Sequence, residues 1–438
     1  MSLRLCRFKD LASLDSLRRE LFVAAESSPQ LNVLTNARPA SNFQSMPKTK
    51  PDSIWTPTFA LLCLTQFLGY APHHMLTPAF PLYVARLGGT PFVVGLVIAS
   101  FALTSVIFRP IIGYWADRWN EAGVLVSGLL FQAASILLCL VPMLEATLLA
   151  NGLRGIGWAG FNTGGYSLLA SSAPAHRRGE ASGYYSAMQN SAMILFPAVA
   201  LWLIDARLGG FKAVFFVAAA LAVFGAGIGV VLRRYAPHAA YLSVPDNPTS
   251  LWGEIFNILE PDVLLPSALV FCVYLSVPTA TSFVVLYASE IGIGSLGSYF
   301  VVSGAMSFLS RPLVGRVSDR IGRARSLAAG FTLQILALCL LTVISTLAGL
   351  LIAGTLYVIG SAIGSSTTLA LAMERAKPER RGRAMASFSV AFPLGTGVGA
   401  LLTGSAVELA GYSWMFLIVA GLVASGLVLT LTKWSSLN

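Results

Sequence analysis

Long apolar runs separated by short polar breaks organise most of this chain. From about residue 56 onward, stretches of roughly 20 apolar residues recur, each long enough to cross a bilayer's hydrocarbon core as a helix. The pattern predicts twelve spans, at 55–84, 91–114, 123–142, 146–170, 180–204, 211–232, 264–289, 295–316, 326–346, 347–371, 382–405 and 411–432. The runs are continuous rather than alternating, which excludes a barrel of transmembrane strands. Residues 1–53 carry no such run and lack the charged-then-apolar order of a signal peptide. They read as a disordered cytoplasmic tail, with Leu11, Leu14, Leu17 and Leu21 at helical spacing behind Asp10, or as a segment preceding a true start at Met46. A longer connector, 233–263, holds Pro245, Asp246 and Pro248. Its Leu251-Trp252-Gly253-Glu254-Ile255-Phe256 is an amphipathic patch expected to lie along the inner membrane surface.

Composition makes lipid the solvent. Hydrophobic residues are 55% of the 438, and charged residues only 11%, where a soluble chain has about 25%. Forty glycines and 22 prolines, many inside the apolar runs, suit membrane helices. The net charge of +10 would fit a nucleic-acid partner if it were spread over one face, but it collects in alternate loops. One set holds Arg118, Arg177, Arg178, Arg233, Arg234, Arg316, Arg320, Arg323, Arg325, Arg375, Lys377, Arg380, Arg381 and Arg383, with Lys433 in the 433–438 tail; the other holds Arg86, Arg207 and Lys212. The positive-inside rule then puts both termini in the cytoplasm and the chain in the inner (plasma) membrane, without nucleic acid. Five cysteines, at 6, 63, 139, 272 and 339, form no CxxC pair. There is no GxxxxGK[ST] loop, no HExxH and no Ser-His-Asp arrangement, so the pattern excludes an ATP-driven pump in one chain and gives no support to an enzyme.

The two halves repeat. Arg109-Pro110-Ile111-Ile112-Gly113-Tyr114-Trp115-Ala116-Asp117-Arg118 answers Arg311-Pro312-Leu313-Val314-Gly315-Arg316-Val317-Ser318-Asp319-Arg320, 202 residues on. Gly128 and Gln132 recur at the same spacing as Gly330 and Gln334, Leu82-Tyr83 as Leu286-Tyr287, and Arg178-Gly179 as Arg381-Gly382. An all-α membrane protein follows, built as two six-helix bundles at 54–232 and 264–432 related by pseudo-symmetry.

On these residues the chain resembles the major facilitator superfamily over about residues 55–432. The family's signature between its second and third helices is a Gly, then Asp-Arg, then Gly and cations. The second copy is complete in Gly315, Asp319, Arg320, Gly322, Arg323 and Arg325; the first keeps Gly113, Asp117 and Arg118 but continues Trp119-Asn120-Glu121. The resemblance implies a gate in which the motif's Asp meets a helix N-terminus of the other half, where an anion offsets the positive helix end. It also implies a central cavity lined by helices 1, 4, 7 and 10. Phe80-Pro81-Leu82-Tyr83-Val84-Ala85, Gly155-Ile156-Gly157-Trp158-Ala159 and Arg178-Gly179-Glu180-Ala181 resemble bacterial export permeases for drugs, sugars or amino-acid-derived metallophores. Two departures stand out. Aligned on Gly155-Ile156-Gly157, Asn151 takes the place of the drug exporters' Arg and Arg154 the place of their Gln; and Phe196-Pro197-Ala198 replaces their helix-5 Gly-Pro motif.

Those cavity helices carry polar stripes. At 100° per residue, Asn151, Arg154, Trp158, Asn162 and Tyr166 share a face about 120° wide, while Gly157, Gly160 and Gly164 form a smooth opposite face for close packing. Arg154 is a cation near the centre of a span, a costly feature that marks a functional candidate or a structural anchor. Gln66, Tyr70, His73 and Thr77 form a second stripe, within roughly 60° of arc, with His74 just off it and Pro72 able to kink the helix. No Asp or Glu lies mid-span; Glu145, Asp205, Glu290 and Glu408 sit near outer ends. His73 is therefore the candidate proton-coupling group, weighed against a histidine satisfied by its neighbours. Adjacent His73 and His74 diverge by about 100°, and no metal site or cofactor is expected. In the second half Tyr274, Thr281, Ser282, Tyr357, Ser361, Ser365 and Thr368 are the neutral counterparts. The function read from these features is a monomeric secondary carrier for a small organic solute, working by alternating access and exporting it against protons. An uptake symporter for a small anionic nutrient, with Arg154 as counter-ion, is the second reading, and a non-transporting sensor or lipid-moving protein the third.

Overall fold

The computed structural model describes residues 54–118, 120–174, 177–205, 209–235, 260–294, 296–377 and 381–437. The 1–53 tail with its leucine stripe and Met46, and the 251–256 patch, lie outside them. The described residues form helices and turns without a strand. In chain order they are α1 (Pro57–Arg86), α2 (Pro91–Ile107), α3 (Arg109–Arg118), α4 (Glu121–Leu138), α5 (Leu144–Ser172), α6 (Arg178–Asp205), α7 (Gly210–Tyr235), α8 (Leu264–Leu275), α9 (Val284–Glu290), α10 (Gly297–Ile321), α11 (Arg323–Leu341), α12 (Leu347–Arg375), α13 (Arg381–Thr432) and α14 (Trp434–Leu437).

Local chemistry sets the ends and breaks. Thr56 Oγ1 accepts the Phe59 N–H at 3.2 Å to cap α1, and Pro57 fills the first turn, where no donor is needed. Thr346 caps α12 in the same way through Gly349. The second span, read as one run at 91–114, bends by 42° between α2 and α3. Pro110 follows the bend and cannot donate to the carbonyl four residues earlier. The seventh span is broken too: Pro278 removes a donor, and a π-helical segment, Thr279–Phe283, separates α8 from α9. Gly411, at φ 79° and ψ 176°, divides the 52 residues of α13 into two rods. In chain order the helices overlap the predicted apolar runs, with α14 in the predicted 433–438 tail.

Seven described helices are long and apolar enough to cross a membrane, or eight if the bent pair α2–α3 is one span. α1, α5 and α10 fall short because they carry the prolines and histidines, the glycine and polar stripes, and the second charged motif. The outward side chains confirm the solvent: on α7, Phe216, Val223 and Phe224 are exposed, while Val214, Phe215, Ala218 and Ala222 are buried.

The sequence repeat is a packing repeat. A Cβ on Gly157 would meet Gly128 O at 2.7 Å and Gln132 N at 2.8 Å; a Cβ on Gly360 would meet Gly330 O at 2.7 Å and Gln334 N at 2.9 Å. Glycine thus lets α4 cross α5, and α11 cross α12, at backbone contact. Tyr83 donates to Cys139 O at 2.8 Å beside Phe211 and Phe215, and Tyr287 donates to Ile344 O at 2.6 Å beside Tyr412 and Phe416.

The halves meet along two antiparallel seams. On α2 and α13, Gly95 lies on Ala400 O, Gly404 on Pro91 O, and Gly397 beside Ala102; on α6 and α10, Gly304 lies on Ile194 and Gly297 near Ala198. Ser282 also donates to Thr77 O at 3.3 Å, and the Phe92 N–H to Glu408 at 3.2 Å. Nearly all these contacts sit in the half of the molecule away from the cationic loops, where Ala71, Met75, Leu76, Ala79, Phe283, Val284 and Ala288 are buried. Toward the cationic end Tyr166 and Met373 are each 50% exposed, and Tyr184 and Leu369 are exposed as well.

Candidate functional site

The first-half stripes converge on an aromatic cluster between α1, α2 and α5. His73 stacks on Trp158 with ring centroids 4.3 Å apart, and Phe101 lies 5.3 Å from His73. Tyr70 meets Trp158 edge-on at 4.6 Å, and its hydroxyl donates to Asn162 Oδ1 at 2.9 Å. Asn162 Nδ2 in turn donates to Trp158 O at 3.0 Å, which fixes the amide. Tyr166, one turn toward the cationic end, accepts from Gln189 Nε2 at 3.2 Å. Helical geometry thus assembles Tyr70, His73, Trp158, Asn162 and Tyr166 into one surface.

Arg154 lies deeper, at 4% exposure. Its guanidinium carbon is 4.4 Å from the centre of the Phe101 ring and 5.3 Å from that of Phe80, a cation–π sandwich from α2 and α1. Nε donates to Asn151 Oδ1 at 2.9 Å, and Asn151 Nδ2 donates to Val97 O. Nη1 is buried without a hydrogen-bond partner. Asn151 therefore positions the cation rather than facing open space. Gln66 is fully buried with both amide atoms unpartnered, and His73 Nδ1 is likewise unpartnered.

The second half is neutral and more completely bonded. The Tyr357 hydroxyl pairs with Ser276 Oγ at 3.0 Å, and Gln334 Nε2 reaches Ser276 at 3.5 Å. Tyr274 packs edge-on against Phe392. Thr281, Ser365 and Thr368 bond back to their own helices, Ser282 bonds across to α1, and Ser361 is half-buried on α12.

Of the motif between helices 2 and 3, Gly113 has nothing within 4 Å of where a Cβ would stand, and Arg320 is exposed. The side chains of Asp117, Arg118 and Asp319, and the surroundings of Gly315, lie outside the described set. Gly322, at φ 91°, makes the break between α10 and α11, a conformation that favours glycine. Arg323 then ties α11 to Glu374 on α12 at 2.7 Å and to Ser318 at 3.1 Å. The first half makes the equivalent joint with other chemistry: Asn120 caps α4 through the Gly123 N–H at 3.0 Å, and Glu121 accepts from Ser167 and Ser171 of α5. Asn120, Glu121 and Ser171 stand 202 to 203 residues before Gly322, Arg323 and Glu374.

Several participants are not in the sequence stripes. Phe80 and Phe101 clasp Arg154. Tyr185 of α6 is fully buried with an unpartnered hydroxyl against Gly165. Arg109 Nη1 donates to Ser389 Oγ at 3.1 Å, joining the halves at the cationic end of the α2–α13 seam. Among the described residues no group of three His, Cys, Asp or Glu could hold a metal.

Two helical halves related by an internal repeat, packed along glycine seams with an aromatic and polar cluster in the first half, have the arrangement of membrane carriers built on a pseudo-two-fold. The family model of the Major Facilitator Superfamily matches residues 62–317 and 267–434, and the chain belongs to that family. It is a non-enzymatic transporter of the membrane. It is 23% identical over 382 residues to the staphylopine export protein of Staphylococcus aureus, covering 86% of this chain and 96% of that one. It is 26% identical over 388 residues to the multidrug resistance protein MdtG of Klebsiella pneumoniae, covering 84% and 91%. Among solved structures, a bacterial homolog to the human lysosomal transporter Spinster, in an inward-facing and occupied conformation, superposes with a TM-score of 0.72 at 15% identity, covering 87% and 96%.

Proposed function

We propose that this transporter is a proton-coupled exporter of a small organic solute, working as a monomer in the inner membrane with both termini in the cytoplasm. The observation that carries the reading is the uneven meeting of the halves: packed at backbone contact away from the cationic loops, and presenting an aromatic, hydrogen-bonding surface toward them. With the cationic loops inside, this is the state that receives solute from the cytoplasm. Export is supported by the likeness to relatives named for export and drug resistance.

The mechanism is a rocking of the two bundles about the Tyr70–Trp158 surface. Solute enters beside Tyr166, settles against Tyr70, Trp158 and Asn162, and faces Tyr274, Tyr357 and Ser361 from the second half. Parting of the seams at Ser282–Thr77 and Gly95–Ala400 then opens the far side. His73, stacked on Trp158 with a free Nδ1, is placed to link protonation to occupancy. The second reading, uptake of a small anion, draws on the unpartnered Nη1 of Arg154.

Everted vesicles carrying the protein, supplied with the extract of a host lacking it, separate the two. Export predicts accumulation inside that collapses with the proton gradient; loss from preloaded vesicles on imposing that gradient supports uptake instead. No flux of any solute contradicts both.

A further inference from the structure

Resting on the reading as a carrier, we propose that the transported solute is an organic anion and that Arg109 binds its charged group. Arg109 opens α3 immediately after the 42° bend, which turns it out of the line of α2. Its Nη1 donates across the halves to Ser389, and Tyr70 and Tyr166 lie within electrostatic reach of it. A guanidinium has five N–H donors in a planar fork, so one hydrogen bond to a serine leaves the fork largely open. Among the described residues no carboxylate pairs with it: the ion pairs there are Arg177–Glu180, Arg323–Glu374 and Lys377–Asp262. The one fully buried carboxylate among the described residues, Glu260, lies by Ser387, whose Oγ accepts its N–H.

Arg154, clasped by Phe80 and Phe101 with Nη1 unpartnered, is a second cation without a described counter-charge, nearer the opposite end of α5 from Tyr166. A partly desolvated guanidinium with no carboxylate partner among the described residues is costly alone and is relieved by an anion. Such a surface attracts negative solutes and repels cations before any contact is made. The open fork of Arg109 fits a carboxylate, phosphate or sulfonate bidentately. Because Ser389 belongs to the other half, an anion that takes over the fork also loosens a bond between the halves, tying occupancy to the rocking motion.

The test starts from a host lacking the gene, complemented with wild type, R109Q, R109K or S389A at equal membrane levels. Metabolites are profiled inside and outside the cells, and the solute that shifts is then titrated against purified full-length protein by tryptophan emission. The proposal expects wild type to shift solutes bearing a carboxylate, phosphate or sulfonate. It expects R109Q to bind the solute about thirtyfold or more weakly, as when one partner of a desolvated charged pair is removed. R109K is expected to fall between the two, and S389A to bind at least as tightly as wild type. Solutes that are amines or neutral, or an R109Q affinity equal to wild type, would overturn it. A wild-type profile identical to that of the deletion would instead defeat the carrier reading on which it rests.

Discussion

Arg154, His73 and Arg109 show how much a residue's role depends on the rotation of its helix. The wheel groups Arg154 with Trp158 and Asn162, yet side chains on a helix lean toward its N-terminus, and this one reaches back between Phe80 and Phe101. Its neighbour Trp158 turns to His73 and Tyr70 instead. The stripes were therefore legible as candidates, whereas the division into a clasped cation and an aromatic platform needed the third dimension. Arg109 is conspicuous in sequence only as part of a repeated motif; its contact with Ser389 spans 280 positions and follows from the bend before it. At this scale the account predicts that His73→Ala flattens the pH dependence of transport while the protein still reaches the membrane. Flux measured across the pH range in reconstituted vesicles checks this, and an unaltered profile would remove His73 from proton coupling.

Elements are positioned by glycine more than by any charge. Gly157 and Gly360 face backbone across their crossings, so a methyl group there must push α4 from α5, or α11 from α12. Gly157→Ala and Gly360→Ala are each expected to destabilise by about 1–3 kcal/mol. Gly113→Ala, with open space around it, should leave the thermal midpoint in detergent unchanged. Equal midpoints for all three would refute the packing account. The periodicity at 202 residues announced these crossings, because Gly128 and Gly330 recur with Gln132 and Gln334. Helix breaks were less legible. Pro110 and Pro312 occupy matching places, yet only the first follows a bend, with α10 running unbroken to Ile321. The joint at Asn120 and Glu121 was likewise hidden, since its polarity reverses that of Gly322 and Arg323. For the motif itself, Asp117→Ala is expected to abolish flux with membrane expression retained; a variant that transports normally would defeat the gate proposed there.

At the scale of the whole molecule, the pattern of apolar runs and loop charges was sufficient for the class, because lipid demands continuous helices and leaves few alternatives. What it could not convey is which end of the cavity is shut, since that depends on contacts such as Gly95 with Ala400 and Thr77 with Ser282. Gly95, Gly397 and Gly404 on one seam and Gly297 and Gly304 on the other bring the halves close together. The central claim is that the bundles move as two bodies. Val141 and Val343, exposed turn residues 202 positions apart at the far end of each half, are suited to spin labels. Pulsed electron–electron resonance on the reconstituted, labelled protein should give two distance populations whose weights change between about pH 8 and about pH 5.5, on either side of the unperturbed histidine range. A single distance, the same at both, would contradict the account.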